Sequence, residues 1–133
     1  VKKAIDVVLK IILSLILLLP VVGLTGVMPP PTPDLYNTPE AFAFIEMLND
    51  IRYISIIMAI VHVLALVCLW TRRTALAALL ILPITVNVVG FHAFLDGGLL
   101  TAGAVLGNVM LLINAYLLWQ HRREYTPLLA RTS

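Results

Sequence analysis

Cysteine occurs once in this chain of 133 residues, at Cys68, and charge is scarce, with Asp, Glu, Lys and Arg together making up 12%. A single thiol forms no intrachain disulfide and no CxxC dithiol, which sets the chain apart from quinone reductases that work through such a pair. Cys68 stands among Leu and Val near an expected helix end and reads as a small buried hydrophobe. There is no glycine-rich phosphate loop, no nucleophile elbow and no HExxH, so nothing points to phosphoryl transfer or hydrolysis. What abounds is apolar: 61% of the residues are hydrophobic and the mean hydropathy is +1.02. Soluble domains are roughly a quarter charged. A chain this short has no interior large enough to hide such an apolar excess, so it reads as an all-α, polytopic membrane protein.

A span needs about 20 apolar residues, and four stretches supply them, at about 4–27, 51–71, 74–95 and 99–119. The first begins with Lys2 and Lys3, and Asp6 and Lys10 stand at i, i+4, close enough to pair on one helix face. Pro20 removes a backbone donor there and predicts a kink. A basic start before an apolar core also describes a secretory signal peptide. The run to Val27 is long for one, and Val21–Gly26 is a poor cleavage site, so a retained span is expected. The sequence MPPPTP at Met28–Pro33 ends the helix. After it, NTPEAFAFIEMLND predicts a short amphipathic helix over about 38–50, with Thr38 as N-cap, Pro39 at the first position and Glu40 at the positive end of the dipole. Phe42, Ile45 and Leu48 share one face of it, and Glu46 and Asp50 point away, which suits a helix outside the cytoplasm that lies on the membrane surface or caps the bundle. No internal repeat is visible. The chain, 1–133, is expected to be one domain, a four-helix bundle with that short helix between spans one and two.

The formal net charge of +2 says less than its placement. Lys2, Lys3, Lys10, Arg72, Arg73, Arg122, Arg123 and Arg131 all fall on one side of four spans, and Arg52 alone on the other, with Asp34, Glu40, Glu46, Asp50 and Asp96. Basic flanks stay in the cytoplasm, so both termini are expected there. Trp70, Tyr116, Trp119 and Tyr125 gather at the same ends, as interfacial aromatics do. These cations sit where they anchor against anionic lipid, not nucleic acid.

The stretch Ile84–Gly97, ITVNVVGFHAFLDG, carries Thr85, Asn87, His92 and Asp96 inside an apolar run. Hydrocarbon offers such groups no hydrogen-bond partner, so neighbouring helices, a ligand or trapped water must. In the second span Arg52, Ser55, Ala59 and His62 share a face, and His62 lies midway. In the third, Thr85, His92 and Asp96 share a face, with Asn87 elsewhere. In the fourth, Thr101, Ala104, Asn108 and Ala115 do, with Asn108 central. This spacing predicts an interior polar pocket for a small ligand, built from His62, Thr85 or Asn87, His92 and Asn108, with Arg52 and Asp96 at its mouth. The plainer alternative is that these side chains are hydrogen-bonding glue between helices, with Arg52 and Asp96 an ion pair at the surface. Two histidines on separate helices without a firm third ligand do not make a metal site. Gly103 and Gly107 form GxxxG, a spacing for close helix approach within the chain or onto a partner.

Several of these stretches resemble the DoxX-like family of small four-span membrane proteins. The likeness lies in Phe42–Leu48 followed by Tyr53, in PITVNVVGFHAFLDGG at Pro83–Gly98, in REYTPLL at Arg123–Leu129, and in the proline-rich segment after the first span. Its most specific part is Pro83, Asn87, Phe91-His92 and Leu95-Asp96. Two positions depart from the family pattern: His62 stands where a glutamate is common, and Gly23-Leu24-Thr25-Gly26 lacks the lysine of GLxK. The resemblance implies the cytoplasmic (inner) membrane of a bacterium and, loosely, an accessory subunit of quinone-linked redox chemistry. A quinone or lipid would then be the ligand, and a membrane redox protein or a second copy the partner. The other expectation is an assembly or scaffold protein that docks a partner through its surface helix and GxxxG face. No visible motif makes it an enzyme in its own right.

Overall fold

The computed structural model describes residues 1–132. Its helices are α1 (Lys2–Gly23), α2 (Pro39–Ile51), α3 (Tyr53–Trp70), α4 (Thr74–Phe94), α5 (Val105–Gln120) and the single turn α6 (Arg122–Tyr125), with short 3-10 turns at Pro33–Leu35, Ala102–Ala104 and Thr126–Leu129. Four of them are long and apolar enough to cross a membrane: α1, α3, α4, and α5 together with the turn that leads into it from Ala102. Their outward residues confirm the solvent they need. Leu15, Ile57, Ile60, Val67, Val86 and Leu112 are each more than half exposed, and a contiguous apolar surface of that kind is stable against lipid, not water. The chain is a membrane protein.

The four long helices pack in chain order, α1 on α3, α3 on α4 and α4 on α5, and α1 also touches α5. Leu13 and Leu17 of α1, Ala65 and Leu69 of α3, Ala77, Ala78 and Ile81 of α4, and Met110, Ile113 and Leu117 of α5 form the core between them. Alanines at the centre of this set let the backbones approach where lipid gives no hydrophobic drive to associate.

Helix ends differ from the sequence expectation for local reasons. The first span stops at Gly23, not Val27. The Thr25 hydroxyl donates to the Val22 carbonyl at 2.6 Å and Gly26 takes a φ of +79°, which closes the last turn. The fourth helix starts at Val105, not Leu99. Gly97 and Gly98, with φ of +84° and +105°, reverse the chain. The Asn108 amide then donates to the Leu99 carbonyl at 2.8 Å, holding Leu99–Thr101 outside the helix. Asn108 is therefore in the first turn of α5 and not at its centre. The third span ends at Phe94 and the second runs from Tyr53 to Trp70, within two residues of expectation.

Thr38 caps α2 as its sequence predicts, its hydroxyl accepting the Ala41 N–H at 3.1 Å, with Pro39 first in the helix. Phe42, Ile45 and Leu48 are half-buried, while Glu46 and Asp50 are exposed. Arg52 alone separates α2 from α3, with φ +60° and ψ −34°.

At the end of the molecule that holds the basic residues, Asp6 does not pair with Lys10. Its carboxylate instead accepts the Tyr116 hydroxyl at 3.0 Å and the Gln120 amide at 3.2 Å, tying α1 to α5. The Trp70 indole donates to Ser14 at 2.9 Å, and the Tyr125 hydroxyl donates to the Ala75 carbonyl at 2.9 Å, which folds the tail against α4.

Candidate functional site

The polar residues expected to share one interior pocket are dispersed. Thr85 is fully buried, and its hydroxyl donates to the Ile81 carbonyl of its own helix at 3.0 Å. Asn87 is exposed, its amide returned to the Pro83 carbonyl at 2.8 Å. Asn108 is spent on the loop, as described above. His62 is 3% exposed on the buried face of α3, and neither ring nitrogen has a hydrogen-bond partner. None of these four reaches another. Nor do Arg52 and Asp96 form an ion pair: Arg52 is exposed and its guanidinium donates to the Leu24 carbonyl at 3.5 Å.

Two of the expected residues do come together, with partners the sequence did not announce. Asp96, just past the end of α4, is 1% exposed. One carboxylate oxygen accepts the Asn37 backbone N–H at 2.7 Å and the other faces His92 Nδ1 at 3.2 Å. The Asn37 side-chain amide donates to the Asp96 carbonyl at 3.1 Å, and the Thr38 hydroxyl donates to the Leu95 carbonyl. The start of α2 is thus clamped onto the end of α4. Gly97 is required here twice over, because its φ is left-handed and a Cβ on it would lie 3.1 Å from Asn37 Cβ.

With His92 Nδ1 as the donor in its contact with Asp96, Nε2 of the neutral ring is an acceptor. Nε2 has no partner among the described residues, yet it is not sealed off like the nitrogens of His62. Of its two neighbouring ring carbons, Cε1 lies 3.7 Å from where a Cβ on Gly103 would be, and Cδ2 3.5 Å from one on Gly107. The His92 ring thus lies against the start of α5, and Gly103 beside it is exposed. GxxxG is accordingly engaged inside the chain: a Cβ on Gly107 would also meet Val88 Cγ1 at 3.0 Å.

Aromatic rings wall the other side. Phe91 stands edge-on to His92 at 5.1 Å and to Tyr36 at 6.3 Å, and Phe44 lies 5.8 Å from Phe91. Burial, and secondarily the Asp96 charge, holds the Tyr36 phenol above its ordinary pKa. The arrangement is a carboxylate-braced imidazole with one open nitrogen beside aromatic faces, able to bond a ligand oxygen or to exchange a proton with it.

Asn114 escaped the sequence reading. It is 1% exposed, its amide N–H donates to the Ala78 carbonyl at 3.0 Å, and its Oδ1 is unpartnered. The signal was its spacing, seven residues after Gly107 on the face that meets α4. Comparison with known protein families, with curated proteins and with solved structures gave no match for this chain. The likeness to DoxX-like proteins therefore rests on the residues quoted above.

Proposed function

We propose that this membrane protein binds a small ligand of the quinone class through His92, as an accessory subunit of redox chemistry in a bacterial cytoplasmic membrane. The observation that carries the reading is the buried Asp96 carboxylate aiming His92 so that Nε2 stays open. A neutral Nε2 accepts from a quinol hydroxyl, and the protonated ring donates to a quinone carbonyl, so one side chain serves both redox forms of the ligand. The nearby aromatic faces suit a flat ring. Eight of the nine Lys and Arg residues at one end of the helices support cytoplasmic termini, with α2 on the opposite surface. The docking reading has less behind it, because the glycines meant for a partner lie against His92 and Val88.

The test is binding of a short-chain ubiquinone analogue to the purified protein, together with mass spectrometry of its solvent extract. We expect retained quinone, and roughly tenfold weaker binding in His92→Phe, the loss of one good hydrogen bond. No binding to the native chain, or equal binding to His92→Phe, overturns the proposal.

A further inference from the structure

We propose that a second, separate site on this protein seats one acyl chain of an anionic phospholipid, with Arg52 holding its phosphate. A groove of about 330 Å³ runs between the end of α1 and the outward side of α3, lined by Leu24, Ile56, Ala59, Ile60, Val63 and Leu64. Every lining residue is apolar. From Ile56 to Leu64 the helix rises about 12 Å. Ala59, 7% exposed, is the floor, and Ile56, Ile60, Val63 and Leu64, each 45–55% exposed, are the rims. The groove is shallow and open, and long enough for a stretch of hydrocarbon tail to lie along it, on a surface that faces lipid.

What distinguishes it from the rest of that surface is its head. Arg52 precedes Ile56 by one helical turn, and its guanidinium reaches the carbonyl of Leu24, a lining residue, at 3.5 Å. This puts a cation at the top of an apolar slot. It is the one Lys or Arg at its end of the helices, it is exposed, and neither ion pair among the described residues includes it. Its backbone is also strained. A φ of +60° with ψ −34° suits glycine, and a residue with a side chain is held there at a cost that the surrounding structure offsets. Neither neighbouring acid, Glu46 or Asp50, forms an ion pair with it, so its charge is available to a phosphate from outside the chain. An anionic phospholipid supplies both phosphate and tail. A zwitterionic one brings its own ammonium to compete with Arg52.

The experiment is native mass spectrometry of the full chain released from bilayers holding equal phosphatidylglycerol and phosphatidylcholine. The native chain is expected to retain one phosphatidylglycerol in preference. Arg52→Gln should cut that preference about fivefold, the worth of one cation near a lipid surface. Arg52→Gly relieves the backbone, so it should melt no lower than the native chain and still lose the preference, which separates binding from folding. Ala59→Phe fills the slot and should abolish retention of this lipid. Equal retention of both lipids by the native chain, or an undiminished ratio in Arg52→Gly, overturns the proposal.

Discussion

His62 and His92 are the same side chain on adjacent membrane helices, and the fold treats them oppositely. His92, near the end of α4, finds a carboxylate that is itself held by the Asn37 backbone N–H. His62, in the middle of α3, is as deeply buried as the core leucines and finds nothing. The difference is one of backbone supply. At the middle of a helix every N–H is consumed by the i→i−4 ladder. A side-chain donor there can still find a carbonyl, as Thr85 and Asn114 do, but a side-chain acceptor finds no backbone donor. Past a helix end, loop N–H groups are free, and a carboxylate can be satisfied and buried together. Depth in the membrane predicts a polar residue's cost, while closeness to a helix end decides whether a buried acceptor finds a backbone N–H to meet it.

The largest expected effect breaks the braced member of the pair. Asp96→Ala strands the Asn37 N–H and the His92 ring in a buried site and loosens the clamp between α2 and α4. Losing two hydrogen bonds to a buried carboxylate costs about 3–5 kcal/mol, to be read as a fall in unfolding free energy in detergent. Asp96→Asn keeps one acceptor and should cost about half that. Equal stability of Asp96→Ala and the native chain would show that the clamp does not hold α2.

The unbraced member should respond with the opposite sign. His62→Leu removes two unpartnered buried nitrogens and keeps apolar volume, so it should stabilise by about 1–3 kcal/mol. A loss of stability instead would show that His62 has a partner in the membrane, such as a bound water. Between these lies the glycine pair. Gly107→Ala presses a Cβ to 3.0 Å of Val88 Cγ1 and should cost about 1 kcal/mol. At Gly103 the nearest atoms are Asp96 Oδ2 at 3.5 Å and His92 Cε1 at 3.7 Å, both ordinary contacts, so Gly103→Ala should be close to neutral in stability.

The long helices were legible because span length and apolar content are properties of the chain alone, and the Thr38-Pro39 cap was legible because capping is local. The helix starts and stops that failed, at Gly23 and Val105, turn on side-chain bonds from Thr25 and Asn108 that compete with the ladder. Site residues followed the same divide. His92 and Asp96 lie one turn apart and could be paired by counting. Their third partner, Asn37, lies 59 residues from Asp96 along the chain, so no periodicity reports it. Arg52 was matched to Asp96 because both belong to the same end of the helices, but belonging to one end does not set lateral position. Asn87 and Asn108 were given to an interior because amides are costly in lipid; each answers that cost with a nearby carbonyl of its own chain.

The smallest effect tests the clamp without removing any of it. The Tyr36 phenol is held above its ordinary pKa, mainly by burial and then by the Asp96 charge. A raised folded pKa means that folding favours the protonated phenol. That contribution is fully present below the unfolded value near 10 and is lost as pH rises through the folded one. Alkaline titration followed by phenolate absorbance, taken as the difference between the native chain and Tyr36→Phe, should therefore show the Tyr36 phenol ionising late, and α2 loosening as it does. In Asp96→Asn that midpoint should fall only part of the way back, since burial is the larger cause and stays. A complete return to the ordinary value would mean that the aromatic wall around His92 depends on the Asp96 clamp to remain closed.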